Sequence, residues 1–227
     1  MILKQVFDAK SSSYTYFIAS AKGREAVIID PVLENVEFYI QLLKDLDLKL
    51  VKVIDTHIHA DHITGAYNLK QATNCSTIMG AHTPADTVDI KVSDNELINI
   101  DNLKIRVIYT PGHTKDSYSF LMDNHLFSGD TLLINGTGRT DFQGGSSKDS
   151  YNSIFNKLLK LPEETLLYPA HDYNGKNISS IGKEKEFNPR LKVSNVNEYV
   201  DIMDNLNLSK PNSMDVIVGR NIKLGDI

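Results

Sequence analysis

Residues 50–62 read LVKVIDTHIHADH. Leu50–Ile54 has the short apolar pattern of a buried strand, and it passes at once into a polar stretch, DTHIHADH, holding three histidines and two aspartates. Strand ends are rigid anchors with free loops above them, and binding and catalytic side chains concentrate there. Imidazole and carboxylate donors together suit zinc, iron or manganese. His57 and His59 share a side while the chain stays extended, and Asp61 and His62 open the next turn. One segment of this kind can serve two adjacent metal positions.

The same arrangement recurs further along. His113 lies in Thr110-Pro111-Gly112-His113-Thr114 after a strand ending at Tyr109, and His171 lies in Tyr168-Pro169-Ala170-His171-Asp172-Tyr173 after Leu166-Leu167. Asp130 follows the short strand His125–Phe127 in Ser128-Gly129-Asp130-Thr131. Pro111-Gly112 makes a stiff turn beside a residue that tolerates close backbone approach. His82 and His125 stand outside these clusters and read as ordinary surface or hydrogen-bonded histidines.

Composition narrows the classes. The 227 residues are 41% apolar and 23% charged, which suits an ordinary globular protein with a sizeable core. Lys and Arg number 24 against 29 Asp and Glu, a net charge of −5, so no basic stripe for nucleic acid is expected. The one cysteine, Cys75, excludes a disulfide scaffold and Cys-based zinc modules, and reads as buried or incidental. No apolar run approaches membrane-spanning length, and the N-terminus has no signal or transit pattern. The expectation is a cytoplasmic protein without a membrane partner. No linker or repeat divides the chain, which predicts one domain over residues 1–227.

Ile2–Phe7, Tyr14–Ala19 and Ala26–Ile29 predict an antiparallel meander. A helix is expected over Asn35–Leu48, and another from about Asp61 through Leu69 and Ala72. Strands are predicted at Ser76–Met79, Leu103–Tyr109, Ser117–Met122, His125–Ser128 and Thr165–Tyr168. Helices follow at Asp149–Leu161 and, last, Asn195–Leu206. Strand runs alternating with helices fit two sheets packed together with helices outside them.

HIHADH at 57–62, TPGHT at 110–114, SGD at 128–130 and PAHDY at 169–173 resemble the metal-binding motifs of the metallo-β-lactamase superfamily, in order and approximate spacing. The resemblance implies an αββα sandwich, an α/β fold of two mixed β-sheets flanked by helices, with the metal site at one edge. Thr56–Leu69 (THIHADHITGAYNL), Gly136–Gly144 (GTGRTDFQG), Tyr168–Gly175 (YPAHDYNG), Phe187–Leu191 (FNPRL) and the tail Ile202–Pro211 resemble the persulfide dioxygenase branch. That branch implies one Fe(II) per chain and oxidation of glutathione persulfide by O2 to sulfite and glutathione. Carried over residue by residue, the iron ligands are His57, His113 and Asp130, a 2-His-1-carboxylate face with open positions. His59, Asp61, His62 and His171 become surroundings of the iron, or ligands of a second metal. The resemblance also suggests a homodimer.

Glutathione brings two carboxylates, and a guanidinium clamps a carboxylate with two bonds. Arg139, Arg190 and Tyr173 are the candidate substrate-binding residues, although Arg139 has an alternative in an internal ion pair with Asp141. GTGR lacks the third glycine of a dinucleotide fingerprint. The rival reading is a dinuclear zinc or mixed-metal hydroxyacylglutathione hydrolase, for which all seven ligands are present. Those hydrolases usually carry a larger helical C-terminal region, whereas 56 residues follow His171 here. A β-lactamase would leave GRTDFQ and NPRL without a role. A non-catalytic sensor on the same fold would be expected to lack a ligand, and none is missing.

Overall fold

Ser13–Ala19, SYTYFIA, is buried along its whole length. Successive side chains of a strand alternate faces. Tyr16 and Ile18 therefore enter one apolar cluster while Phe17 and Ala19 enter another on the opposite face. Glu25–Ile29 repeats the pattern, with Val27 and Ile29 facing one way and Ala26 and Ile28 the other. Strands apolar on both faces need a layer on each side, and the computed structural model, which describes residues 1–210 and 213–226, supplies them.

The first sheet runs in the order β1 (Ile2–Asp8), β2 (Ser13–Ala19), β3 (Glu25–Ile29), β4 (Lys49–Ile54), β5 (Ser76–Gly80) and β6 (Ile90–Val92). β1, β2 and β3 form the expected antiparallel meander, and β3 through β6 pair in parallel. The second sheet contains β7 (Leu97–Ile100), β8 (Leu103–Tyr109), β9 (Tyr118–Met122) and β10 (His125–Gly129), each antiparallel to the last. After a two-stranded ribbon of β11 (Leu132–Leu133) and β12 (Gly136–Thr137), β13 (Leu166–Pro169) joins β10 in parallel and β14 (Ser179–Ser180) closes the edge.

The faces of the two sheets share a core that includes Tyr16, Ile29 and Ile54 from the first and Val107, Phe120 and Phe127 from the second. Helices α1 (Val36–Asp45) and α2 (Ala66–Thr73) cover the outer face of the first sheet through Tyr39, Leu43 and Leu69. Helix α3 (Ser147–Asn156), α4 (Ile181–Phe187) and α5 (Val196–Asp204) cover the second through Ile154, Ile181, Tyr199 and Met203. The result is the expected αββα sandwich.

Several boundaries depart from the sequence reading. The helix expected from about Asp61 begins only at Ala66. Residues 57–64 are held open instead, because Thr64 bridges to Val32 and the loop's polar backbone is bonded by side chains. Helix α1 stops at Asp45, three residues short, where Asp47 takes a left-handed φ of 52°. Helix α3 stops at Asn156, and a separate 3-10 turn, Leu158–Lys160, keeps Leu158 in the core. Helix α5 is not the last. A further helix, α6 (Met214–Asn221), returns to the first sheet, where Val218 packs against the α1–α2 cluster together with Ile222 and Leu224 beyond its end. Of the tail singled out above, Pro211 lies outside the described residues.

Candidate metal centre

The polar segments after β4, β8, β10 and β13 meet at one edge of the sandwich. Parallel pairing of β10 with β13 puts the ends of both at the same side, which places Asp130 beside His171. The Pro111-Gly112 turn after β8 delivers His113. Gly112 sits at φ +145°, and a Cβ there would lie 2.3 Å from the Ser150 Cα of α3, so the turn is packed hard against that helix.

His57, His113 and Asp130 each offer one ligand atom, and these atoms lie within 4.8 Å of one another. The surrounding hydrogen bonds decide which imidazole nitrogen is free. Asp30 can only accept, so the Thr56 hydroxyl donates to its Oδ2 at 3.0 Å and accepts from His57 Nδ1 at 3.0 Å. His57 Nε2 is left with its lone pair. His113 Nδ1 donates to the Arg139 carbonyl at 2.7 Å, which likewise leaves Nε2, 3.6 Å from Asp130 Oδ2. Partners of this kind fix the tautomer and aim the ring of a metal-ligating histidine. Burial, with the neighbouring His59, holds the His57 imidazole well below its usual range and so keeps it neutral.

His171 is engaged differently. Its Nδ1 lies 2.7 Å from Asp130 Oδ1 and its Nε2 lies 2.8 Å from Asp61 Oδ2. Carboxylates accept, so both ring nitrogens donate and neither offers a lone pair. Burial opposes a charged ring here, yet Asp130 and Asp61 outweigh it and push His171 well above the ordinary histidine value. Asp130 is correspondingly depressed, burial being overcome by His171, His113 and His57.

His59, Asp61 and His62 form a second group whose ligand atoms lie within 4.8 Å. His59 Nε2 donates to Asp30 Oδ1 at 3.1 Å, and His62 Nδ1 to Asp61 Oδ2 at 3.0 Å. His59 Nδ1 and His62 Nε2 are buried with no hydrogen-bond partner among the described residues. Buried polar atoms are rarely left unpaired, so these orphans are consistent with a bound ion.

The backbone of this loop is held by side chains from distant segments, of which only Gln143 falls within a motif quoted above. Asp30 accepts from the Thr56 amide at 2.7 Å and Asp116 from the Ile58 amide at 3.0 Å. Gln143 donates to the Ile58 carbonyl at 2.7 Å, and Asn221 spans the carbonyls of His59 and His62. Each is a lone polar residue in sequence; only the requirement that a buried loop satisfy its backbone groups singles them out.

A cleft of about 990 Å³ opens from the centre and is lined in part by Arg139, Arg190, Tyr173, Leu208 and Ile217. Arg139 makes the internal pair, with its Nε and Nη2 on Asp141 at 2.7 and 2.8 Å, and it also donates to the carbonyls of Ser209 and Leu208. Arg190, which also lines the cleft, donates from Nη1 to the Thr137 carbonyl and hydroxyl. Tyr173 is 70% exposed, with its ring stacked over His171 at 6.0 Å. The two outlying histidines are spent elsewhere: His82 bonds the Tyr118 hydroxyl, and His125 stacks on Tyr168. Cys75 is buried away from the centre, and burial pushes its thiol up.

Residues 9–171 match the family model of the metallo-beta-lactamase superfamily. The chain is 40% identical to the mitochondrial persulfide dioxygenase ETHE1 of Mus musculus, over 99% of this chain and 89% of that protein. A crystal structure of ETHE1 from Myxococcus xanthus superposes with a TM-score of 0.97 at 43% identity, and all of both chains is covered. The hydroxyacylglutathione hydrolase of Dictyostelium discoideum is 31% identical over 82% of this chain and 69% of its own. Among the described residues, no helix is long and apolar enough to cross a membrane.

Proposed function

The chain belongs to the metallo-beta-lactamase superfamily and within it to the persulfide dioxygenase branch, and from that premise we propose that it is a mononuclear Fe(II) enzyme that oxidises glutathione persulfide. Persulfide, O2 and water yield glutathione and sulfite, with release of protons. The observation that carries the reading is the convergence of His57, His113 and Asp130 within 4.8 Å, both imidazoles presenting Nε2. This donor set, two neutral imidazoles and one carboxylate, fits ferrous iron in an O2-using site. Iron held there supplies the redox chemistry that joins O2 to the terminal sulfur.

The chain's own residues supply orientation and enclosure. Thr56 and the Arg139 carbonyl hold the two imidazoles in the tautomer that binds metal. His171 ties up Asp130 Oδ1, so Oδ2 remains on the His113 side. His57, His59 and His171 are at most 2% exposed, so the cleft is the route by which solvent and substrate arrive. Arg190 is the cation placed to receive a glutathione carboxylate, and Tyr173 offers its ring and hydroxyl at the mouth. Arg139 acts there through the wall it holds, because its guanidinium is committed to Asp141 and two carbonyls.

Anaerobic loading with Fe(II), followed by glutathione persulfide and O2, tests the reading. One O2 consumed per sulfite formed, and none in a zinc-loaded sample, is the expected result. Iron-replete protein without O2 uptake would overturn it. The second reading is a dinuclear thioester hydrolase, and one observation favours it: among the described residues, His59 Nδ1 and His62 Nε2 are buried without a partner in a group whose ligand atoms lie within 4.8 Å. Against it, His171 has both nitrogens committed to carboxylates.

A further inference from the structure

Asn221, at the end of α6, is 2% exposed and uses all the hydrogen-bonding capacity of its amide at 59–64 except one acceptor site. Its Nδ2 donates to the His59 carbonyl at 2.9 Å and the His62 carbonyl at 2.8 Å, and its Oδ1 accepts from the Thr64 amide at 2.9 Å. No strand or helix supplies these partners, since residues 57–63 lie outside regular structure. Around Asn221 the chain is built against the same loop. The Leu224 carbonyl accepts from the Tyr67 amide at 3.0 Å. Gly225, at φ +84°, lies so close that a Cβ would come within 2.1 Å of the Thr64 carbonyl.

The held loop carries Asp61 and His62, and a chain of contacts leads from it to the centre. Asp61 Oδ2 accepts from His62 and from His171, and His171 in turn donates to Asp130. A shift of the loop backbone therefore moves Asp61, and through His171 it turns the Asp130 carboxylate. We propose that Asn221 is a positioning residue of the metal centre, setting the orientation of Asp130 through a loop that lies 159 residues before it in sequence. The inference rests on the assignment of Asp130 as a ligand but not on the identity of the substrate.

Co(II) in place of iron tests this without turnover, because its visible absorption reports the ligand field directly. Asn221→Ala is expected to shift the Co(II) bands and weaken Co(II) binding roughly tenfold, the usual effect of removing an outer partner. In the iron-loaded protein kcat should fall while KM changes less than about twofold, an orientation effect rather than a binding one. Asn221→Asp, which turns an acceptor toward two carbonyls, should be worse than alanine. Ile222→Val serves as control: it loosens the packing beyond α6 without touching the loop, and should lower the urea midpoint while leaving the Co(II) spectrum unchanged. Should Asn221→Ala fail to fold, Asn221→Ser keeps one donor and should give an intermediate spectral shift. Wild-type spectrum and affinity in the Asn221 variants would overturn the inference, as would a rise in KM with kcat intact. Wild-type protein that binds Co(II) normally but consumes no O2 when loaded with iron would sink the dioxygenase reading alone, leaving the spectral comparison to decide the role of Asn221.

Discussion

His113 can present Nε2 because its Nδ1 is spent on a backbone carbonyl, and the carbonyl belongs to Arg139. Removing the ring deletes a ligand, so His113→Ala should lose iron and dioxygenase activity together. Metal analysis of the variant checks this, and full activity would show the ligand set to be wrong. Arg139→Ala keeps that carbonyl but removes the guanidinium that pins Leu208 and Ser209 along the cleft. Iron content should stay near normal while KM rises several-fold, of the order expected for losing charge-assisted bonds at a binding wall. Steady-state kinetics with persulfide would show it. An unchanged KM would reduce Arg139 to its pair with Asp141.

Elements bring these residues together, and they differ in how visible they are in sequence. Strands β4, β8, β10 and β13 are mostly apolar runs, each followed closely by a His or Asp in the loop beyond, so the cluster of donors is legible from local pattern alone. Helix α6 could not. Its sequence MDVIVGRN carries two β-branched valines, an isoleucine and a glycine, all poor in intrinsic helix propensity, and it is helical because Val218 and the following Ile222 and Leu224 pack on the first sheet. Asn221 was invisible for the same reason, since its value lies in carbonyls about 160 residues away. The internal pairing of Arg139 with Asp141 was legible from adjacency, but not the two carbonyls from the C-terminal segment. Pro111-Gly112 was read as a place of close approach, and α3 is what approaches. Gly112→Ala should therefore destabilise the fold by about 1–3 kcal/mol, since the positive φ and the close approach of Ser150 both penalise a Cβ. Urea unfolding would measure it, and a midpoint equal to wild type would mean that α3 moves away at no cost.

At the scale of the molecule, the sandwich is clasped at the end opposite the metal loops. Arg24, in the turn before β3, grips Asp101, in the turn before β8, with two bonds, and Ser20 adds a third at 2.6 Å. The Arg24 guanidinium first, then the Ser20 hydroxyl, bring the Asp101 carboxyl down to about 2. A depressed carboxyl contributes stability that is present above its unfolded value near 4 and is lost as pH falls through the folded value. Wild type and Asp101→Asn should therefore differ in Tm at neutral pH, with the gap closing between about pH 4 and 2; a gap that persists to pH 2 would contradict the charge-based account. At the other end, everything turns on how many ions the cluster holds. His57 and His113 each present an unengaged Nε2 on the side of Asp130 Oδ2, while His171 has both ring nitrogens on carboxylates. Anaerobic titration with Fe(II), followed by desalting and metal analysis, tests this most directly. One iron retained per chain is the predicted result, and two tightly held ions per chain would contradict the account.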